Sequence, residues 1–116
     1  MSGTGEAMTQ EYLEAAKLGE LAPGTMKRAD VRGRRILLAN VDGRICATAD
    51  TCTHEDASLS SGVLKGALVR CPLHGGRFNV CTGEAVEEPA DENLATYAVR
   101  IEGGCILVGV PAAETR

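Results

Sequence analysis

The sequence of 116 residues is poor in aromatic side chains, in histidine and in long apolar runs. Trp is absent, and aromatic residues make up 3% of the chain, as Tyr12, Tyr97 and Phe78. With a net charge of −4, this scarcity argues against nucleic-acid binding, which uses basic surfaces and stacking platforms. No apolar run is long enough to span a bilayer, and no charged segment followed by an apolar one predicts a secretory signal. We therefore expect a soluble, cytoplasmic protein that binds neither nucleic acid nor membrane.

The length and the ordinary mixture of 44% apolar and 24% charged residues predict a single folded domain. Residues 1–10 are small and polar and are expected to form a flexible tail. The domain is expected over residues 11–110, and residues 111–116 are expected to be a second tail. The chain shows no internal repeat.

Short strand-like segments separated by glycine turns recur along the chain. The turn pairs are Arg32-Gly33, Asp42-Gly43, Lys65-Gly66, Thr82-Gly83 and Gly103-Gly104. Asp-Gly and Gly-Gly pairs supply the positive φ that two-residue hairpin turns require. We predict strands over residues 35–40, 45–49, 67–71, 77–80, 97–102 and 105–110, whereas residues 11–17 suit a short helix and a first strand equally. The pattern predicts an all-β antiparallel sandwich or small barrel.

Charge of each sign is concentrated in one segment. Basic residues bracket the Arg32-Gly33 turn, which predicts a solvated hairpin end: Lys27, Arg28, Arg32, Arg34 and Arg35. Acidic residues gather later in the chain: Glu84, Glu87, Glu88, Asp91 and Glu92. The acidic segment suits a solvated loop or a surface that steers a basic partner.

The cysteine count of five is odd, and cytoplasmic thiols stay reduced, so a disulfide framework is a poor explanation. Cys46 and Cys105 lie in apolar stretches and are expected to be small core residues. Cys52, Cys71 and Cys81 lie instead among Thr, Pro, His and Gly. These three require a separate interpretation.

Two polar segments, residues 50–62 and 71–76, contain both histidines of the chain. They place Cys52 and His54 before sixteen intervening residues, and Cys71 and His74 after them. Zinc sites with two Cys and two His usually separate the two ligand types. Here each loop offers one thiolate and one imidazole, which favours a two-iron cluster with thiolates on one iron and imidazoles on the other. A zinc-binding interaction module remains the alternative.

The segments that carry these ligands resemble the Rieske-type [2Fe-2S] ferredoxins, most of all those of bacterial aromatic-ring-hydroxylating dioxygenase systems. The resemblance is carried by DTCTH at 50–54, SLS at 58–60 with Gly62, CPLHGGRF at 71–78, and CTGE at 81–84 followed by Pro89. It implies a Rieske fold with a subdomain of two cluster-binding loops and one [2Fe-2S] cluster. Cys52 and Cys71 would bind one iron, and His54 and His74 the other. Cys81 matches no ligand position and is expected at a turn or strand end.

The sequence departs from the high-potential Rieske proteins of respiratory complexes at four positions. Ala57 and Leu73 stand where those proteins carry an extra cysteine pair that forms a disulfide. Gly76 and Phe78 stand at or near positions that supply hydroxyl groups to the cluster sulfurs. Because hydrogen bonds to sulfur raise the potential, we predict a value of about −150 mV, near the low end of the Rieske range.

The predicted cluster uses both histidines, so none remains for the mononuclear iron of an oxygenase. No G-x-G-x-x-G or P-loop motif predicts a nucleotide site. The resemblance therefore implies a monomeric, non-enzymatic electron shuttle without catalytic residues. It would bind a flavin-containing, NAD(P)H-dependent ferredoxin reductase and a terminal Rieske oxygenase, both transiently. The alternatives are a small Rieske-like subunit of a nitrite reductase and a ferredoxin of a di-iron aromatic monooxygenase.

Overall fold

The computed structural model describes residues 10–51, 57–73, 75–88 and 92–111. The strands in these ranges are β1 (Gln10–Lys17), β2 (Met26–Val31), β3 (Arg34–Val41), β4 (Arg44–Ala49), β5 (Val63–Lys65), β6 (Leu68–Arg70), β7 (Arg77–Asn79), β8 (Ala85–Glu87), β9 (Thr96–Tyr97), β10 (Val99–Glu102) and β11 (Cys105–Pro111). Two short 3-10 turns cover Leu18–Glu20 and Leu59–Ser61. The prediction of an all-β fold is confirmed.

The strands form three antiparallel sheets. The first has the order β1-β11-β10, the second β2-β3-β4-β9, and the third β5-β6-β7-β8. The third sheet carries the two segments singled out in the sequence, since one of them precedes β5 and the other joins β6 to β7.

Two apolar cores lie on opposite faces of the second sheet, and β3 contributes to both. Leu37 and Ala39 pack with the third sheet around Phe78. Ile36 and Leu38, which alternate with them, pack with the first sheet around Ile106, Val108 and Val110. Because side chains of a strand point alternately to its two faces, β3 is buried on both sides. The third sheet is therefore fastened to the rest of the protein by a core of its own.

Three of the five predicted turns are confirmed as two-residue hairpin turns. Lys65 instead ends β5, so Gly66 and Ala67 form the next turn, and Thr82-Gly83 lies in the longer connection between β7 and β8. Arg32 and Gly33, with φ of 55° and 79°, join β2 to β3, and Asp42 and Gly43, with φ of 58° and 94°, join β3 to β4. Gly103 and Gly104 turn β10 into β11 with φ of 56° and 79°. The basic segment around Arg32 is the expected hairpin end.

The structure resolves the ambiguous segment at 11–17 as a strand and adds three strands that the sequence did not predict. β1 pairs along its length with β11, and the ladder runs from Gln10 to Pro111, one residue beyond each expected domain limit. The unpredicted strands are β2, β5 and β8. The predicted strand at 97–102 divides at Ala98, because β9 pairs with β4 in the second sheet while β10 pairs with β11 in the first.

The structure corrects two cysteine predictions, the absence of a disulfide and the placement of Cys105 in the core. Cys46 and Cys81 form a disulfide with a Cα–Cα distance of 5.0 Å, within the ordinary range for such bonds. Cys46 is buried as predicted, but on the face of β4 that meets the third sheet, where the turn after β7 places Cys81. Cys105 belongs to neither core cluster: it is half-buried at the start of β11, and Lys17 Nζ lies 3.6 Å from its sulfur. The prediction against a disulfide was wrong because the partners are 35 residues apart and only tertiary packing brings them together.

Within the described ranges, no helix is both long enough and apolar enough to cross a membrane.

Candidate metal centre

The two predicted ligand loops leave the third sheet at the same place. The first, residues 50–62, leads into β5, and the second, residues 71–76, joins β6 to β7. Val63 at the start of β5 pairs with Arg70 at the end of β6, so the end of the first loop lies beside the start of the second. Of the predicted ligands, the structure describes Cys71, whereas Cys52, His54 and His74 lie outside the described residues.

Asp50 closes the base of the first loop. Its fully buried carboxylate accepts a hydrogen bond from the backbone N–H of Ser60 at 2.8 Å and bonds from the hydroxyls of Ser58 and Ser60. Its carbonyl oxygen accepts the N–H of Leu59 at 2.6 Å, and Thr51 forms a β-bridge with Ser58. A buried carboxylate requires such partners, because an unpaired one is costly to desolvate. The segment between Thr51 and Ser58 is thus held at both ends.

The second loop is closed by two backbone hydrogen bonds, and Cys71 donates one and accepts the other. The N–H of Cys71 donates to the carbonyl oxygen of Gly76 at 2.8 Å, and the N–H of Gly75 donates to the carbonyl oxygen of Cys71 at 3.1 Å. Gly75 has a φ of 81°, which suits glycine far better than other residues. The second loop is therefore anchored at Cys71, Gly75 and Gly76.

Gly62 brings the two loops into contact. A Cβ added to it would lie 1.9 Å from the carbonyl oxygen of Arg70, closer than any real side chain approaches backbone. Only glycine lets the end of the first loop pass this close to the residue before Cys71. The glycine therefore sets how closely the end of the first loop approaches the start of the second.

Cys71 fits the role of a metal ligand. It is 1% exposed, it has no disulfide partner, and it packs in the core that contains Phe78 and Val69. The disulfide uses Cys46 and Cys81, which match no ligand position, and leaves this loop thiol available. A free thiol in a loop closed by backbone bonds suits coordination of a soft or borderline metal ion, for which thiolate is a preferred ligand. Within the described ranges no group of three possible ligands lies together, since the other three predicted ligands are outside them.

The structure also describes positions at which the sequence departs from the high-potential Rieske proteins. Ala57 is buried in the core beside the third sheet, and Leu73 is 64% exposed. Phe78 is fully buried and has no hydroxyl to offer to a cluster. The disulfide of this chain thus occupies a different place from the one expected in those proteins.

Asp50 and Gly62 lie within the sequence motifs, but the motifs predict a role for neither. The available signal for Asp50 was an acidic residue at the end of an apolar strand, followed by two serines eight and ten residues later. Gly62 gave no such signal, because its need for a missing Cβ depends on Arg70, which is distant in sequence.

The chain is similar to known proteins of one family. The family model for the Rieske [2Fe-2S] domain matches residues 11–98. The ferredoxin component of the naphthalene 1,2-dioxygenase system of Pseudomonas aeruginosa is 42% identical over 101 residues, which cover 87% of this chain and 97% of that protein. The ferredoxin component of biphenyl 2,3-dioxygenase from Rhodococcus jostii is 43% identical over 97 residues, covering 84% and 91%.

Solved structures give the same picture. A chain from a complex of reduced oxygenase and oxidized ferredoxin in carbazole 1,9a-dioxygenase superposes with a TM-score of 0.81 at 38% identity, covering 86% of this chain and 94% of that one. The terminal oxygenase of carbazole 1,9a-dioxygenase from Nocardioides aromaticivorans has the same TM-score at 25% identity, but this chain spans 32% of its length. A nitrite reductase small subunit, at 21% identity and a TM-score of 0.71, shares the fold.

Proposed function

Because the chain belongs to the Rieske [2Fe-2S] family, we propose that it is a ferredoxin that carries single electrons from an NAD(P)H-dependent reductase to a terminal Rieske oxygenase of aromatic rings. The observation that carries this proposal is the fraction of each relative's length that this chain spans. The chain spans 97% of a naphthalene dioxygenase ferredoxin component but 32% of a terminal oxygenase that shares the fold. It corresponds in extent to the electron-transfer component rather than to the enzyme.

We assign Cys52, His54, Cys71 and His74 as the ligands. A [2Fe-2S] cluster bound there would supply one-electron oxidation and reduction. Two observations support this assignment. Asp50 anchors the loop that would carry Cys52 and His54, and the backbone bonds of Cys71 anchor the loop that would carry the other two ligands.

The loop surface suits brief encounters with a partner. Leu73, next to His74, and Val63, at the end of the first loop, are 64% and 62% exposed. Small apolar contacts inside a polar rim are typical of interfaces that must release quickly. The protein is proposed to act as a monomer that meets its reductase and its oxygenase in turn.

A cytoplasmic location follows from the NAD(P)H-dependent donor in this proposal. The disulfide must then persist among reducing thiols. Cys46 is 6% exposed and Cys81 is half-buried, so access of an external thiolate is restricted most at the sulfur of Cys46.

The proposal is tested by metal analysis together with electron-transfer assays. The purified protein should contain two iron and two acid-labile sulfide per chain, as a [2Fe-2S] cluster requires. It should be reduced by NADH only when a dioxygenase-system reductase is added. Alanine at His54 or His74 should abolish the Rieske spectrum, whereas Cys105→Ser should leave it intact. A colourless protein that contains zinc would contradict the assignment of a [2Fe-2S] cluster. A protein that contains the cluster but passes no electrons to an oxygenase would contradict the proposed electron-transfer function.

The nitrite reductase alternative is supported by likeness of fold alone. It would predict a permanent complex with a large reductase subunit, which purification of a stable monomer with full cluster content would contradict.

A further inference from the structure

The outer face of the third sheet bears a groove of about 340 Å³ whose polar lining is basic. We call it the basic groove; its lining residues are Val63, Lys65, Leu68, Arg70 and Arg77. The opposite face of the same strands points into the core through Leu64, Val69 and Phe78. The groove is therefore the solvent side of a sheet whose other side is already covered.

The pairing of β5, β6 and β7 brings the cations together. Arg70 lies between Val63 on one neighbouring strand and Arg77 on the other, and Lys65 lies opposite Leu68. Alternate residues of each strand share a face, so Lys65, Arg70 and Arg77 all project from the same side. Neighbouring strands are about 4.8 Å apart, which confines the three cations to a strip about 10 Å wide.

This strip is positive on a chain whose net charge is −4. Arg77 is paired with Glu87 of β8, its Nη1 lying 2.9 Å from Oε1. Lys65 and Arg70 form no ion pair with any residue of the described ranges, and both are exposed. Among the described residues, the groove thus presents two cations without an ion-pair partner beside one that Glu87 partly neutralises.

The groove adjoins the loops of the candidate metal centre. Arg70 immediately precedes Cys71, and its guanidinium lies against Gly75, where an added Cβ would be 3.3 Å from Nε. Val63 immediately follows the first loop. A weak electron-transfer interface buries about 600 Å² per partner, a disc of about 14 Å radius. A partner centred on the loops would therefore also cover the basic groove.

We propose that the basic groove docks an acidic surface of the reductase that donates the electron; this inference rests on the proposed function. The change in the ferredoxin's charge on reduction favours the reductase, rather than the oxygenase, as the partner of this groove. The oxidised protein is one unit more positive than the reduced protein, so an acidic partner binds the oxidised protein more tightly. The reductase must bind oxidised ferredoxin and release it reduced, whereas the oxygenase must do the reverse.

The test compares two charge reversals that change the net charge equally. Lys65→Glu alters the groove, and Lys17→Glu alters the end of β1 in the first sheet. A hydrogen bond to Glu14 raises the pKa of Lys17, so this control residue is also a cation at neutral pH. At 0.1 M salt the Debye length is about 10 Å, so a charge on the first sheet contributes little at the groove. Glu87→Gln provides a third variant, which removes the carboxylate that neutralises Arg77.

The probes are the reductase and oxygenase components of the Pseudomonas putida naphthalene 1,2-dioxygenase system, whose ferredoxin is 41% identical to this chain. Stopped-flow reduction by NADH and reductase measures the donor step, and reoxidation by the oxygenase measures the acceptor step. Calorimetric titration of the oxidised ferredoxin with reductase gives the dissociation constant independently of turnover.

At 0.1 M salt, Lys65→Glu should slow the donor step and weaken reductase binding about fivefold or more, while Lys17→Glu changes either by less than about twofold. Glu87→Gln should shift both quantities the opposite way. At 1 M salt, where the Debye length is about 3 Å, the differences should vanish. Equal effects of Lys65→Glu and Lys17→Glu, or a defect confined to the acceptor step, would contradict the proposal that the basic groove docks the reductase. Failure of the wild-type protein to accept electrons would count instead against the proposed function.

Discussion

Removal of the Cys46–Cys81 disulfide should lower the free energy of unfolding by about 4 kcal/mol. The single variants Cys46→Ala and Cys81→Ser and the double variant all break the same bond. We therefore expect the three proteins to lose similar stability, far from the sum of two independent effects. Cys105→Ser removes a thiol outside the bond and serves as the control.

The magnitude follows from the length of the closed loop. The bond joins residues separated by 35 positions, and a cross-link of that span restricts the unfolded chain by about 4 kcal/mol at 25 °C. A domain of this size is stable by about 5–15 kcal/mol in total, so the loss is a large fraction. The packing term is small by comparison, because only Cys46 is buried and alanine retains its Cβ.

The assay is urea unfolding followed by far-ultraviolet circular dichroism, with all variants at equal cluster content. With a slope of about 2 kcal/mol/M, the midpoint should fall by about 2 M. Non-reducing peptide mapping by mass spectrometry should show Cys46 and Cys81 in one linked peptide pair. A midpoint within about 0.3 M of the wild-type value in all three variants would refute the reasoning, as would recovery of both cysteines as free thiols.

Three further predictions concern the loops and the cluster. Gly62→Ala should reduce stability by at least about 2 kcal/mol in urea unfolding, because its Cβ would meet the Arg70 carbonyl oxygen, whereas Gly19→Ala, with nothing within 4 Å, should change it by less than about 0.5 kcal/mol. Asp50→Ala should lower the free energy of unfolding by about 2–4 kcal/mol, because it leaves the N–H of Ser60 without its acceptor. It should also speed loss of the cluster, measured by bleaching of visible absorbance. Asp30→Ala, which removes an exposed ion pair, is the control. Redox titration monitored by electron paramagnetic resonance should give a midpoint of about −150 mV, and a value above zero would contradict the absence of hydroxyl donors at Gly76 and Phe78.

Local chemistry explains which parts of the fold could be predicted. The turns at Asp42-Gly43 and Gly103-Gly104 follow from residues that tolerate positive φ, a property visible in the sequence. β2 could not be predicted in the same way, since half of its six residues are charged and only Ala29 and Val31 are buried. It is a strand because β3 pairs with it along its whole length.

In the candidate site too, local features could be predicted from the sequence, whereas contacts between distant residues could not. The spacing of Cys71 and His74 identifies ligand types, because metal coordination leaves a local signature. The anchoring by Asp50, the contact of Gly62 with Arg70 and the Cys46–Cys81 bond each join positions at least eight residues apart. Such contacts depend on how the sheets pack, which no single segment of the chain encodes.

Burial of β3 on both faces has a consequence for strand register. In most strands a slip of one residue moves apolar side chains into water, and this penalty holds the register. In β3 the slip would move Leu37 and Leu38 from one apolar core to the other rather than into water, so this penalty is absent. The register must instead be held by the two-residue turns at either end of the strand and by buried Asn40, which donates to the Leu21 carbonyl at 2.8 Å and accepts from the Gly43 N–H at 2.7 Å. A residue inserted into either turn would therefore shift the whole central strand, and Asn40 is the side chain that would lose its partners.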